Sequence, residues 1–384
     1  MVLHNVYSFG DNSNKHIHIE NGLIKTIDTG TGILPAVATH LYFENAMAFP
    51  GLINSHDHLD FNLFTPTGNR IYNSYREWGT DIHINNKEAI NAVMNIPYEL
   101  RVQWGLYKNL IAGVTTVVEH GKKTDVPNEM ITVFQNCYNL HSVGFEKNWQ
   151  YQLNRPFVKN IPFVIHAGEG TDVAAGREID RLLKWNIFKR KLVAVHGVAM
   201  NTKQAKGFAA LVWCPVSNYF LLNKTAAVRE LKKSTAIILG TDSTLTAGWN
   251  IWDHLRLARK QHGLTDAELF DAVTKTPAAV WQMQGKGDLA KHAIADIVVA
   301  KANDASVDSF YKTNPRDILL VLHKGNIRLF DEGLLDQLKK QDAVPNDFYP
   351  VVINGSVKYV QGNLPALINK VKEFYPAAAF QFAN

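Results

Sequence analysis

Two histidines two positions apart, His56 and His58, close the apolar run that ends in GLINSHDH. Further along, other apolar runs end on polar residues of the same kind. VIHAGEG brings His166 and Glu169, AVHG brings His196, and ILGTDS brings Asp242. Imidazole and carboxylate suit Zn²⁺ or Fe²⁺ in sites that keep a position open for water. Side chains at i and i+2 on a strand end point to one side, so His56 and His58 can reach one ion. A third histidine and an aspartate from across a barrel would complete a nitrogen- and oxygen-rich site. Taken singly these residues say little. A lone histidine there is more often hydrogen-bonded or at the surface, and Thr-Asp after a strand is usually a turn or helix cap. Their joint occurrence, in order and each at the end of an apolar run, is what points to a metal site.

The elements that must position them alternate strand-like and helical patterns, as βα units do. The candidate strands are Ala46–Ile53, Val114–Glu119, Ser142–Glu146, Pro162–His166, Leu192–His196, Ala210–Cys214 and Ala236–Gly240. Each is a short continuous apolar run, as expected when helices cover both faces of a parallel sheet. Helical patterns lie between them, for example Ala174–Lys184 and Asp253–Gln261, and Thr265–Thr274 reads as a helix opened by Thr265 with Glu268 completing a capping box. In a parallel barrel the C-terminal strand ends converge on one rim, where active sites sit. A (β/α)₈ barrel needs one strand more than these. The gap lies between Glu119 and Pro162, and is filled either by a short strand near Phe157 or by an irregular barrel.

The two chain ends have a different texture. Val2–Ser8, Lys15–Glu20, Ile24–Ile27, Asp296–Ala300, Ile318–His323, Asn326–Phe330 and Val351–Val360 are strand-like, with turns at Asn21-Gly22, Lys324-Gly325 and Asn354-Gly355, and Leu364–Phe374 reads as a closing helix. The expected fold is α/β: a distorted (β/α)₈ TIM-like barrel over residues 46–290, beside a smaller composite β-domain built from residues 1–45 and 291–384.

Composition narrows the function classes. The 384 residues are 46% hydrophobic and 20% charged, ordinary for a soluble globular chain. The net charge of +5, from 40 Lys+Arg against 35 Asp+Glu, is small and spread out, so nucleic acid is not an expected partner. The two cysteines, Cys137 and Cys214, are far apart, which argues against a disulfide framework or a thiolate zinc site. The N-terminal stretch lacks the pattern of a signal peptide. No apolar run approaches the ~18 residues of a membrane span. The cytoplasm is the default location.

The order HxH, HxxE, HG and GTDS, with WCPVSN (Trp213–Asn218) between the last two, resembles the amidohydrolase superfamily. More narrowly it resembles the branch with guanine and cytosine deaminases and the triazine and S-adenosylhomocysteine aminohydrolases. The resemblance covers about residues 45–300, including Gly285–Asp288 and Ala295–Val298. It implies that His56, His58, His166 and Asp242 hold one divalent metal ion, with Zn²⁺ the first expectation and Fe²⁺ the alternative. Such an ion lowers the pKa of water toward ~7. Asp242 would accept the water's proton, and His196 would stabilise the developing charge. In that family HxxE accompanies mononuclear aminohydrolases, which makes Glu169 the proton donor to a ring nitrogen and the departing amine. The bland alternative for Glu169 is a first-turn carboxylate helping to cap a helix. Binuclear relatives use a lysine or glutamate from the fourth strand, and Glu146-Lys147 could stand in that place.

The implied reaction is hydrolytic deamination of a small nitrogen heterocycle. Ring-amide hydrolysis, as in imidazolonepropionase-like members, is the alternative, and a metal-free scaffold relative is a third class that the full ligand set disfavours. Candidate substrate contacts are Asn62, Arg76, Trp78 and Trp149, in loops that could overhang the rim, and Asn218, which follows a strand with Ser217. Glu119-His120, also at a strand end, could line the pocket. A homodimer is a further expectation of the family.

Overall fold

The computed structural model describes residues 1–30, 38–127, 129–156, 160–378, 380 and 382. Its strands, in chain order, are β1 (Val2–Ser8), β2 (Asp11–Glu20), β3 (Leu23–Asp28), β4 (His40–Tyr42), β5 (Ala46–Pro50), β6 (Leu52–Asp57), β7 (Val114–Glu119), β8 (Thr132–Phe134), β9 (Tyr138–Ser142), β10 (Phe163–Ala167), β11 (Leu192–His196), β12 (Ala210–Trp213), β13 (Ala236–Leu239), β14 (Ile297–Lys301), β15 (Ile318–His323), β16 (Asn326–Asp331), β17 (Phe348–Ile353) and β18 (Ser356–Gln361).

The fold is mixed α/β with parallel sheets in its middle. One parallel sheet has the order β13-β12-β11-β10-β9 and a second the order β6-β7-β8. The two meet where the Asp242 N–H, just past β13, donates to the His56 carbonyl near the end of β6 at 3.0 Å. The strands are fully buried apolar runs, as in LVAVH of β11 and ALVW of β12, because helices pack outside them. Five helices matter to the site: α1 (Tyr75–Asn85), α2 (Lys87–Met94), α3 (Tyr98–Ile111), α4 (Trp149–Leu153) and α5 (Val173–Trp185). Gly105 lets α3 lie against the loop after β6, since a Cβ there would sit 2.3 Å from the Leu59 carbonyl oxygen.

Both chain ends join one sheet of order β17-β18-β16-β15-β14-β5-β1-β2-β3, with β4 beside β1. The capping box at Thr265–Glu268 forms with both hydrogen bonds, and the closing helix spans Leu364–Phe374.

Three expectations need correction. Ala46–Ile53 is two strands, β5 in the composite sheet and β6 in the parallel sheet. They are divided at Gly51, where a Cβ would lie 2.3 Å from the Thr115 side chain. The strand expected at Ser142–Glu146 is Tyr138–Ser142 instead. Its polar residues are accommodated because Asn139 Nδ2 donates to the Glu119 carbonyl at 3.2 Å. The strand sought between Glu119 and Pro162 is Thr132–Phe134, three residues long and paired with β7. Phe157 lies outside the described residues.

Candidate active site

The ends of β6, β10, β11 and β13 bring five polar side chains together. His56 is fully buried on β6, and its Nε2 lies 3.2 Å from Nε2 of His166 on β10. His58 follows β6, with Nε2 3.9 Å from Asp242 Oδ1, while His56 Nε2 is 3.7 Å from the same oxygen. Ligand atoms of His56, His58 and His166 lie within 4.8 Å of one another, as do those of His56, His196 and Asp242.

This donor set fits a metal ion. Two nitrogens bound tetrahedrally at ~2.05 Å stand about 3.3 Å apart, close to the His56–His166 spacing. His166 Nδ1 is held on the His141 carbonyl at 2.9 Å, which fixes the tautomer and leaves the Nε2 lone pair facing the cluster. Burial first, then neighbouring imidazoles, push the pKa of His56 and His166 well below the usual value, so both are neutral donors. Among the described residues, His56 Nδ1 and both ring nitrogens of His120, packed 4.5 Å from the His166 ring, have no hydrogen-bond partner.

Asp242 is buried, which by itself would raise its pKa. His196, His58, the Ser217 hydroxyl and the Ser243 N–H outweigh that and hold it below the usual carboxylate range. Ser217 Oγ and Thr246 Oγ1 donate to Oδ2 at 2.8 and 3.0 Å, and the Ser243 N–H to Oδ1 at 2.7 Å. His196 Nδ1 is held on Asn218 Oδ1 at 2.9 Å, so its Nε2 faces inward, 3.6 Å from Glu169 Oε1 and 3.9 Å from Asp242 Oδ2. His196 and Asp242 both have left-handed backbones, with φ of 72° and 59°. That conformation costs about 1–3 kcal/mol in a non-glycine residue and persists where the surroundings over-determine it.

Glu169 lies in the loop after β10. Burial, reinforced by Asp242 and opposed by His196, pushes its carboxyl up to about 7. The loop is clamped from above: the Tyr75 N–H donates to the Glu169 carbonyl at 3.1 Å, and Ser74 bridges Gly170. The start of α1 therefore fixes the carboxyl's position.

Beneath the cluster is a buried ion pair. Lys108 Nζ, from α3, lies 3.0 Å from Asp57 Oδ2 and also donates to Asn62 Oδ1 and the Asp242 carbonyl at 2.9 and 3.3 Å. Asn109 Nδ2 and Asn62 Nδ2 donate to Asp57 at 2.8 and 2.9 Å. Asp57 stands between the two histidines of the HxH motif, so this network locks the turn that aims them.

Over the cluster opens a cavity of about 580 Å³. Of the expected substrate contacts, Trp78 lines it. Asn62 does not face it, because its amide is spent on Asp57 and Lys108. Arg76 is turned onto Glu178. Trp149 is core, packed near Trp185 and Arg181. Asn218 orients His196. Glu119 accepts from the Leu59 N–H at 3.0 Å and supports the HxH loop from below. Glu146 and Lys147 lie past β9, where Glu146 accepts from Gln152 Nε2 at 2.8 Å. Sequence reasoning missed Tyr75, Ile82, His141, Phe145 and Leu245, which line the cavity. His141 carried a signal, a histidine near a strand end, which the misplaced strand concealed.

The Amidohydrolase family pattern matches residues 157–328. A 5-methylthioadenosine/S-adenosylhomocysteine deaminase from Caldicellulosiruptor saccharolyticus is 23% identical, over 93% of this chain and 92% of its own. An adenosine deaminase structure from Xanthomonas campestris, with bound zinc, superposes with a TM-score of 0.70 at 14% identity, covering 98% of this chain and 97% of that one. A 5-methylcytosine deaminase structure from Klebsiella pneumoniae gives 0.63 at 15% identity, covering 85% and 97%. At such identities the solved structures speak for the fold alone. The Amidohydrolase family pattern runs from just before β10 into β16, across His166, Glu169, His196 and Asp242, and over that stretch the chain is similar to the amidohydrolase family.

Proposed function

We propose that the protein catalyses hydrolytic deamination of a small nitrogen heterocycle at a mononuclear metal centre held by His56, His58, His166 and Asp242. The observation that carries the reading is the pairing of a convergent three-histidine, one-aspartate set with a separate carboxyl, Glu169, raised to about 7 at the same cavity floor. The deaminase relatives support the reaction class. The nitrogen and oxygen donors, together with the zinc reported in the Xanthomonas campestris structure, favour zinc. A divalent ion there supplies Lewis acidity that makes water nucleophilic near neutral pH. The place on β9 where binuclear relatives bring a lysine or glutamate is occupied by His141-Ser142, which supports one metal rather than two.

The chain's own groups divide the proton work. Asp242, kept ionised by its neighbours, accepts the proton of the attacking water. Glu169 gives its proton to the ring nitrogen beside the attacked carbon, is recharged with the water proton passed on from Asp242, hands that proton to the departing amine, and is restored by the last hydroxyl proton as the carbonyl forms. His196, fixed by Asn218, presents Nε2 to the oxygen that becomes negative. The strand order and the relatives support reading β6–β13 as a distorted (β/α)₈ barrel over about residues 46–290, with residues 1–45 and 291–384 as the composite domain.

Metal analysis and an ammonia-release screen over purines, pyrimidines, pterins and triazines test the reading. About one divalent ion per chain is expected, with ammonia released in step with product and lost on chelation. Full turnover by metal-free protein would overturn it.

A further inference from the structure

The cavity has a polar floor and apolar walls. The floor is His166, Glu169, His196 and Asp242. The walls include Phe61, Tyr75, Trp78, Ile82, Phe145 and Leu245. Among the described lining residues there is no lysine or arginine, and no carboxylate beyond Glu169 and Asp242. The polar groups of the α1 wall are already engaged. Trp78 Nε1 donates to the Thr67 carbonyl at 2.7 Å, Thr80 Oγ1 to the Arg76 carbonyl at 2.9 Å, and His83 Nδ1 pairs with the Gly79 carbonyl at 2.7 Å. Arg76, on the same helix, is committed to Glu178.

The apolar character continues to the mouth. Ile84 is 71% exposed and Phe145 49%, and both line the opening. Phe145 lies down on α1 because position 79 is glycine, where a Cβ would be 3.3 Å from the ring. At about 580 Å³ the cavity is within the ~300–1,000 Å³ of sites for drug-sized ligands, more room than a single six-membered ring fills.

We propose that the substrate is an uncharged heteroaromatic amine bearing an apolar substituent, its amine at Glu169 and its substituent along α1 toward Ile84 and Phe145. The ring amine rests on the deamination reading; the apolar arm rests on the lining. A phosphate or carboxylate on that arm would lose its hydration with no lysine or arginine among the described lining residues to receive it. Planar rings would find Trp78 and Tyr75 to stack on.

The test uses two matched ligand pairs: 9-benzyladenine against 9-(4-carboxybenzyl)adenine, and N-benzylmelamine against its 4-carboxybenzyl counterpart. Binding to the metal-replete protein is read by calorimetry, and ammonia is assayed separately. The benzyl member of at least one pair is expected to bind at least about tenfold tighter than its carboxylate partner. Phe145→Lys and Ile84→Lys, both at exposed positions that tolerate a charge, should shrink or invert that ratio. Equal binding within both pairs, preference for the carboxylates in the unmodified protein, or binding of no ligand overturns the proposal. Binding with the benzyl preference but without ammonia supports the apolar arm and instead sinks the deamination reaction.

Discussion

Glu169 occupies the one position where the proposed division of labour can be separated from metal binding. Its carboxyl lies 3.6 Å from His196 Nε2 and outside both convergent ligand groups. Glu169→Gln keeps size and hydrogen bonding but cannot exchange a proton. It is expected to keep its metal and lose about 10²–10⁴-fold in kcat, the range for a general acid–base residue. Near-normal kcat with full metal would reduce Glu169 to a loop carboxylate. Residues of this kind were legible because histidine and acid side chains are conspicuous at the ends of apolar runs. Asn62, Arg76 and Trp149 do not line the cavity, and the sequence could not show this because a loop has no period from which side-chain direction can be read. Ile82 and Phe145 were invisible for another reason: an apolar residue that lines a cavity has the same sequence signature as one that fills a core.

At the scale of elements, α3 sets the HxH turn through a charge that has no access to water. Lys108 and Asp57 are both essentially unexposed. Removing one member of such a pair strands the other, at a cost of about 3–5 kcal/mol. Lys108→Met should therefore destabilise strongly in urea unfolding, whereas Lys108→Met with Asp57→Leu should recover much of the loss. Equal instability of the single and double variants would show that shape rather than charge governs the turn. Neither partner could be assigned this role from sequence, because they are 51 positions apart. The helices were easier. Val173–Trp185 and Ile251–Lys260 fall within a few residues of their amphipathic patterns, with caps at Asp172 and Asn250. The short strand β8 escaped because three residues cannot establish a pattern.

Across the whole molecule, stability should depend on pH through the composite sheet as well as the site. His4 is buried between His16 and His40, with Nδ1 2.9 Å from His16 Nδ1 and Nε2 2.9 Å from His40 Nδ1. Burial first, then these two neighbours, lower its pKa to about 4. The unfolded chain, with a histidine pKa of ~6.5, thus binds more protons over the window from ~6.5 down to about 4, and stability falls as pH falls through it. His4→Phe, which keeps the stacking on Tyr42, should flatten the fall of the urea midpoint across that window. An unchanged slope would remove His4 from the account. The composite sheet itself was readable in outline, since both ends alternate as strands with clear turn pairs. Its use of Ala46–Pro50 was not, because that run continues without a polar break into the next strand.

That continuity has a consequence for how the protein is made. The stretch bearing His56 leaves the composite sheet at Gly51, and β5 just before it is held between β1 and β14, with Phe49 opposite Val298. The ribosome delivers β5 some 250 residues before that second neighbour exists. Until residues 297–301 emerge, the strand leading to the HxH pair has one open edge, so the anchored form of the site is an event of late synthesis or release. Any ion captured earlier meets a chain that cannot yet hold its histidines in place, and a nascent chain stalled before β14 offers a bare strand edge to other chains.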